Sequence, residues 1–311
     1  MRLAAAMLKE FLARIGIKSA RLKRSETLFS VPCGASEGLK ADYAALAEEC
    51  GLKKVRFAEA PFLAALGADA VLGEANPVFC IDIGGGVTNV AVVSLDGIIA
   101  GLSMNIGGNN MDANIIDKIE SCKGLRIGAL SAERVKNEIG SLAVGARGTT
   151  VVEGSLASSY RPGSVSVQAS EIAACIRVYI DKILEYASLV LQKLPAEVAA
   201  TVNQSGVYLS GGATKISFVP EYIAKSLNMR FHVCDEPQFA VVSGAGAAVQ
   251  HQVQQRKHDQ EIPEYVRDQE PLAEGNQIVD PAVDNMAAFR GNQVLRQKIH
   301  DKVADPAAQK L

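Results

Sequence analysis

Residues 78–112 read VFCIDIGGGVTNVAVVSLDGIIAGLSMNIGGNNMD and are the most informative segment of the chain. An apolar strand delivers one carboxylate, Asp82, to the consecutive glycines Gly84, Gly85 and Gly86. Glycines let backbone N–H groups point into one concavity, which suits phosphate oxygens. A carboxylate cannot bind phosphate directly, so Asp82 is predicted to order the water shell of a Mg²⁺ carried by a nucleotide.

A second glycine pair lies one hairpin later. Gly107 and Gly108 precede a helix predicted to begin near Asp112, and a helix N-terminus favours anions. Between the two clusters, Asp96-Gly97 is a two-residue turn typical of a hairpin. The alternative interpretation is that these glycines only form tight turns in a β-meander.

The composition restricts the class of protein. With 311 residues, 48% of them apolar, the chain is predicted to form one large or two medium globular domains. It contains no run of about 18 uncharged apolar residues, so no membrane-spanning helix is predicted. A net charge of −2 argues against nucleic acid as a partner.

Cysteines and histidines restrict the chemistry. The six cysteines are scattered and form no CxxC pair, which predicts reduced thiols in a cytoplasmic protein. All four histidines lie in the last third of the chain, which argues against Ser-His-Asp or Cys-His catalysis.

The N-terminal segment predicts an amphipathic helix over residues 3–15. Basic residues dominate between Arg2 and Arg24, and Glu10 is the single acidic residue in this range. A peripheral membrane contact through this basic helix is one interpretation. The other is a helix that packs on the core with its basic face in water.

Periodicity along the chain predicts alternating helices and strands, which is typical of an α/β fold. The long helix is predicted to begin with Ser170 as its N-cap and to stop before Pro195. Helices are predicted at 37–50, 60–72, 112–120, 131–143, 170–194 and 217–227, and through Gly244 and Gly246. Strands are predicted at 28–31, 51–57, 78–106 (a meander), 149–153, 164–168, 206–210 and 230–234.

The composition changes at His251, and the polar tail 251–311 is predicted to be disordered or loosely helical. Within it, 283–303 is interpreted either as a docking segment for a partner or as unconstrained chain. The partial GxGxx pattern at Gly244 and Gly246 lacks a following acidic partner, and the chain has no GxxxxGK[ST] motif. A dinucleotide-binding fold and a P-loop are therefore not expected.

Four segments, in order, resemble the actin and heat-shock-chaperone ATPase superfamily, and in particular the MreB family of bacterial actins. Asp82–Gly86 resembles the family's second phosphate loop, and Ile106–Asp112 resembles its IGGxxFD segment. Ala132–Gly140 is similar to the family's AERIKxEIG helix, and Leu209–Ala213 is similar to its adenosine glycine motif. The resemblance covers about residues 7–250.

The resemblance implies an α/β actin-like ATPase fold of the ribonuclease-H-like type, with ATP and Mg²⁺ as ligands. It implies a partial first actin-like domain over 1–76, a second domain over 77–250 and the tail over 251–311. Within the second domain, a nucleotide-side subdomain (77–107 and 202–250) flanks an inserted helical subdomain (108–201).

The resemblance also implies roles for single residues. Asp82 is expected to hold Mg²⁺ through water, Glu133 and Lys136 to reach the ribose and adenine, and Gly211-Gly212 to let the nucleoside lie against bare backbone. The residues that the resemblance places at the nucleotide are Asp82, Gly84, Gly85, Gly86, Thr88, Gly107, Gly108, Glu133, Lys136, Asn137, Gly211 and Gly212.

Three departures from the family pattern matter. The family opens with a strand and an Asp-Leu-Gly-Thr phosphate loop without equivalent here, so the first half is expected to lack its opening strands and to expose an apolar edge. The family's Glu-Glu-Pro is Glu59-Ala60-Pro61 here. Loss of such a water-activating carboxylate typically costs about 10²–10⁴-fold in rate. The family's Gly-Thr-Thr-Glu is Gly86-Val87-Thr88-Asn89 here.

The resemblance therefore implies a cytoskeletal nucleotide-binding protein of cell-shape determination, either a filament subunit or a regulator of a full-length paralogue. ATP hydrolysis is expected to be weak or lost, and no catalytic residue is assigned because Ala60 stands at the expected Glu position. Two alternatives stay open: a chaperone- or reactivase-type ATPase of the same fold, and a non-enzymatic binding module that uses the tail. A reading frame that continues upstream is a further interpretation of the missing strands.

Overall fold

The first part of the chain contains two short parallel strands and four helices. The computed structural model describes residues 2–16, 19–70, 72, 76–95 and 97–261. The first elements are α1 (Arg2–Arg14), α2 (Ser19–Leu22), β1 (Glu26–Val31), α3 (Glu37–Glu49), β2 (Lys54–Glu59) and α4 (Ala60–Gly67). The strands β1 and β2 pair with each other in a sheet of two strands. The hydroxyl of Ser36 caps α3 by accepting a hydrogen bond from the N–H of Leu39 at 3.2 Å.

The remaining elements follow from residue 78 onward. They are β3 (Val78–Ile83), β4 (Thr88–Ser94), β5 (Gly97–Met104), α5 (Gly108–Lys123), β6 (Leu125–Arg126), α6 (Ala129–Ile139), β7 (Thr149–Leu156), β8 (Pro162–Gln168), α7 (Ala169–Gln192), α8 (Ala196–Ser205), β9 (Val207–Ser210), α9 (Val219–Leu227), β10 (Phe231–Val233) and α10 (Ala240–Glu261). Single 3₁₀ turns lie at Gly212–Lys215 and Pro237–Phe239.

A mixed sheet of five strands, in the order β10-β9-β3-β4-β5, positions the candidate site. The strand β3 is antiparallel to β4 and parallel to β9, so the chain segments before Gly84 and Gly211 end side by side. The register places Asp82 opposite Asn89 on β4 and opposite Ser210 on β9. A second sheet, β6-β7-β8, lies in the chain between β5 and β9.

Both faces of the central strands β3 and β4 are covered, and every residue of β3 is buried. Because side chains alternate along a strand, Phe79, Ile81 and Ile83 enter the large core that also contains α5, α6, α7 and α9 residues. Val78 and Cys80 instead pack in a smaller cluster with α4 residues. Such a continuous apolar run is typical of a strand buried on both faces. Asp82 shares the parity of Cys80 and is the only acidic residue in β3.

The helices α4 and α10 contact each other through glycines. A Cβ on Gly67 would lie 1.8 Å from the carbonyl oxygen of Ala240, and a Cβ on Gly244 would lie 1.8 Å from that of Leu63. The two backbones can approach this closely only because neither glycine has a side chain. Gly244, which the sequence presented as part of a weak GxGxx pattern, has a packing role here.

Most predicted elements are confirmed, with corrections at their ends. The helix after Gly107 begins at Gly108, four positions before the predicted start near Asp112. Ser170 is not the N-cap of α7, because the backbone N–H of Gln168 donates to the Glu171 carboxylate at 2.9 Å and the helix begins at Ala169. The strand β6 and the helix α8 were not predicted.

The described residues up to Gln255 form one compact unit. The helix α10 continues to Glu261, past the predicted start of the polar tail. The rest of that tail, including 283–303, and the predicted turn residue Asp96 lie outside the described residues. Among the described helices, none is both long enough and apolar enough to cross a bilayer.

Candidate functional site

The carboxylate of Asp82 lies at the end of β3 and is held by its two register partners. The hydroxyl of Ser210 donates to Oδ1 at 3.0 Å, and the side-chain amide of Asn89 donates to Oδ2 at 3.2 Å. Asp82 is 7% exposed. Burial raises the pKa of this carboxyl above its usual value, although both hydrogen bonds act in the opposite direction. One side of the carboxylate borders a cavity.

The glycine loop after β3 packs directly on the first turn of α5. The carbonyls of Gly84 and Gly85 accept hydrogen bonds from the N–H groups of Gly108 and Asn109, at 3.0 and 2.8 Å. A Cβ on Gly107 would lie 2.5 Å from either carbonyl oxygen, so only glycine fits there.

These contacts change which donors an anion could use. The first amides of α5 already donate to the loop carbonyls, so the helix N-terminus has fewer free N–H donors for an anion than the sequence predicted. Among the described residues, no acceptor takes the N–H groups of Gly85 and Gly86, and both glycines are exposed. The donors available to a phosphate are therefore those of the loop itself.

Three predicted residues on α6 reach the same region. Lys136 is buried, and its ammonium donates to Asp112 Oδ2 at 2.8 Å and to the carbonyl of Gly108 at 3.2 Å. Burial raises the pKa of Asp112 above its usual value, and Oδ1 of this residue has no hydrogen-bond partner among the described residues. Glu133 and Asn137 are exposed and line the cavity.

The second glycine pair follows β9. Gly211 has φ +85°, and a Cβ there would lie 2.2 Å from the carbonyl oxygen of Ile83, so this position requires glycine twice over. Its N–H donates to the carbonyl of Pro237 at 2.8 Å, and its carbonyl accepts from the hydroxyl of Thr214 at 2.7 Å. Gly212 is exposed and lines the cavity.

A cavity of about 620 Å³ brings together nine of the twelve predicted residues. Those nine are Asp82, Gly84, Gly85, Gly108, Glu133, Lys136, Asn137, Gly211 and Gly212. Gly86, Thr88 and Gly107 do not line it. The hydroxyl of Thr88 is fully buried and donates to the carbonyl of Ile106 at 2.7 Å, so it holds β4 to the segment that follows β5.

The cavity also has residues that the sequence did not predict. They are Asn109, Ala213, Lys215, Ile216, Gln238 and Val241. The ammonium of Lys215 donates to Glu236 at 3.1 Å and to Gln238 at 3.2 Å, so Lys215 and Gln238 form a polar pair at the cavity. Proximity to Gly211-Gly212 could have indicated Lys215. Gln238 reaches the cavity through the Gly211–Pro237 backbone bond, for which the sequence carries no signal.

The segment Glu59-Ala60-Pro61 joins β2 to α4. Ala60 is buried as the first residue of α4 and does not line the cavity. The carboxylate of Glu59 accepts a hydrogen bond from the N–H of Gly34 at 2.6 Å. Ala60 has no carboxylate, and Glu59 does not line the cavity, so this segment supplies no acid to it in the part of the chain that the structure describes.

Most of the chain is similar to known proteins. A family model described as MreB/Mbl protein matches residues 1–258. The cell shape-determining protein MreB of Escherichia coli K12 is 29% identical over 251 residues, which cover 78% of this chain and 71% of that protein. The crystal structure of MreB 5 of Spiroplasma citri bound to AMPPNP has a TM-score of 0.77 at 25% identity, covering 82% of this chain and 77% of that one.

A structure of the MamK double helical filament has a TM-score of 0.67 at 20% identity, covering 80% of this chain and 75% of that one. At this identity the likeness concerns the fold. Together these neighbours confirm the predicted α/β actin-like fold class.

Proposed function

The chain belongs to the MreB/Mbl family, and we propose that it is a nucleotide-binding cytoskeletal protein that takes part in determining cell shape. The observation that carries the proposal is the cavity between Asp82, the Gly84–Gly86 loop and Gly211-Gly212. Its volume of about 620 Å³ lies in the range of small-molecule and cofactor sites. Similar proteins are named cell shape-determining, and a structural neighbour holds AMPPNP, an ATP analogue.

The residues at the cavity fit ATP with Mg²⁺. The free N–H group of Gly85 at the cavity, and that of Gly86 in the same loop beside it, suit phosphate oxygens. Exposed Gly212 allows a nucleoside to lie against the backbone. Glu133 and Asn137 offer acceptors and donors to a ribose. The described residues contain no cluster of three His, Cys, Asp or Glu side chains that could coordinate a metal ion directly. Asp82 would therefore hold Mg²⁺ through water, and the ion would offset the charge of the phosphates.

Calorimetry with ATP and millimolar magnesium tests this site. We expect wild-type protein to bind, and we expect Asp82→Asn to weaken binding about tenfold because it removes the charge that orders the metal's water. Asp181→Asn is the matched control, because Asp181 accepts from the hydroxyl of Tyr222 and does not line the cavity. Absence of heat with any purine nucleoside triphosphate would overturn the proposal.

We further propose that hydrolysis is weak or absent. Ala60 has no group that can orient or deprotonate water, and Glu59 is engaged by the N–H of Gly34. Phosphate release measured beside a full-length bacterial MreB should be slower by about 10²-fold or more. Release at an equal rate would contradict this assignment.

For assembly, we propose a filament subunit or a regulator that joins filaments of an MreB paralogue. Sedimentation in ATP distinguishes this role from a chaperone-type ATPase of the same fold. A filament subunit pellets above a threshold concentration, and a regulator pellets only when the paralogue is added. A chaperone-type protein stays in the supernatant under both conditions.

We also propose a peripheral membrane contact through α1. The helix packs on α3 through Ala5, Leu8 and Leu12. A neighbouring stripe of apolar side chains stays exposed: Leu3 (78%), Met7 (52%), Phe11 (50%) and Ile15 (65%). A helix with an exposed apolar stripe and basic flanks suits the surface of an anionic bilayer.

Co-flotation with anionic vesicles tests the membrane contact. Phe11→Glu places a charge in the exposed stripe and should reduce binding strongly, whereas Ala13→Glu adds the same charge on another side of α1 and should reduce it less. Equal binding by wild type and Phe11→Glu would contradict the contact.

A further inference from the structure

A row of four polar residues crosses the five-stranded sheet near one end of its central strands. Register pairs connect Ser210 to Asp82, Asp82 to Asn89, and Asn89 to Ser103. Directly paired residues project to the same face of a sheet, so these four side chains lie in one line across β9, β3, β4 and β5. Every residue of β3 and of β4 is buried, which makes unpaired polar atoms costly there.

Asn89 is the central connection in this row. Its amide nitrogen donates to Asp82 Oδ2 at 3.2 Å, and its amide oxygen accepts from the hydroxyl of Ser103 and from the backbone N–H of Cys33 at 3.2 Å. The residue is 3% exposed.

The orientation of this amide follows from its partners. A backbone N–H can only donate, so the oxygen of Asn89 must face Cys33 and its NH₂ group must face Asp82. A carboxylate at this position could not donate to Asp82 and would set a like charge against it. An amide is therefore the side chain that satisfies both neighbours.

The backbone that Asn89 holds belongs to the turn after β1. The next residue, Gly34, donates its N–H to the carboxylate of Glu59 at 2.6 Å. The Cys33–Gly34 turn is thus held from two sides, by Asn89 of the five-stranded sheet and by Glu59 at the end of β2. Glu59 in turn directly precedes α4.

We propose that Asn89 is a positioning residue that fixes the Asp82 carboxylate toward the cavity and links it to the Cys33–Gly34 turn, so that Mg²⁺–nucleotide held at Asp82 restrains this turn. The inference rests on the proposed nucleotide site. The link is short and buried: one side chain separates the carboxylate from the backbone of the turn. A shift of the carboxylate must therefore be followed by the amide, and then by the N–H of Cys33, or leave a buried donor unpaired.

Nucleotide affinity with and without metal tests the positioning role. Partners of groups that orient a metal typically change its affinity by about 10–100-fold, so Asn89→Ala should weaken binding of ATP with Mg²⁺ by about tenfold or more. Binding of ATP in EDTA should change by less than about twofold, because Asp82 then has no ion to orient. A merely structural role would weaken both equally, and that result would overturn the proposal.

Ser103→Ala is the matched control. It removes one hydrogen bond to Asn89 but keeps the donation to Asp82 and the acceptance from Cys33, so both affinities should stay close to wild type. Asn89→Leu has nearly the shape of asparagine and repeats the test if the alanine variant does not fold. Unchanged affinity for ATP with Mg²⁺ in either Asn89 variant would overturn the proposal.

Hydrogen–deuterium exchange tests the link to the turn. In wild type, ATP with Mg²⁺ should slow exchange of the Cys33 and Gly34 amides, and ATP in EDTA should slow it less. If nucleotide bound to wild type without changing this exchange, the inference would be overturned and the proposed function would stand. No binding by wild type would overturn the proposed function and this inference with it.

Discussion

Lys136 is the residue whose surroundings differ most from its sequence interpretation, because its ammonium is paired inside the protein. It bonds to Asp112 at 2.8 Å, and both side chains are nearly buried. Removing one partner of such a pair leaves the other charge buried and uncompensated. Lys136→Met should therefore lower the free energy of unfolding by about 3 kcal/mol, measured by urea denaturation near neutral pH.

The control for this prediction removes an exposed pair by the same substitution. Lys9→Met breaks the ion pair with Glu49, in which both side chains are about half exposed. This substitution should leave the unfolding free energy nearly unchanged. Equal losses in the two variants would show that Asp112 is not an uncompensated buried charge. The double variant Lys136→Met with Asp112→Leu should recover part of the loss.

The sequence singled out residues whose type is unusual for their position or is required by it. Asp82 is an acid in an apolar strand, and Gly211 sits where a Cβ would overlap a carbonyl. The resemblance places Thr88 at the nucleotide, but its hydroxyl donates to the carbonyl of Ile106, between β5 and α5. Gln238 was not predicted, because only the folded contact of Pro237 with Gly211 brings it to the cavity.

At the scale of elements, the contact of α4 with α10 makes opposite predictions for two glycines of one helix. Gly244→Ala places a methyl group 1.8 Å from the carbonyl oxygen of Leu63 and should destabilise the protein by about 1–3 kcal/mol. Gly246 has open space around its Cβ direction, so Gly246→Ala should stabilise it by up to about 1 kcal/mol. The test is the denaturation midpoint of each variant. If both midpoints shifted in the same direction, this packing would be contradicted.

The start of α7 predicts a pH dependence. The N–H of Gln168 and, less strongly, Lys123 lower the pKa of Glu171 below its usual value of 4.5. A lowered pKa means that the stabilisation is complete above the unfolded-state pKa and is lost as the pH falls through the folded-state pKa. Glu171→Gln should therefore be less stable than wild type at pH 6, and the difference should shrink on acidification below about 4.5. A difference that is constant with pH would contradict the cap.

The ends of elements were less predictable than their existence, for physical reasons. Both Ser170 and Gln168 are compatible with the start of α7. The hydrogen bond from the backbone N–H of Gln168 to the Glu171 carboxylate makes Gln168 the cap. The strand β6 has only two residues and pairs with β7 far along the chain, so no local periodicity indicates it.

At the scale of the whole molecule, the family match and the cavity define the part of the chain on which the proposed function depends. Every residue that lines the cavity lies between Asp82 and Val241, and the family match ends at residue 258. Because every lining residue precedes the deleted segment, deletion of 262–311 should change ATP affinity by less than about twofold. Sedimentation in ATP should also persist. If the deletion abolished sedimentation or partner binding while ATP affinity stayed the same, the tail would carry the function, and the folded part would serve as its platform.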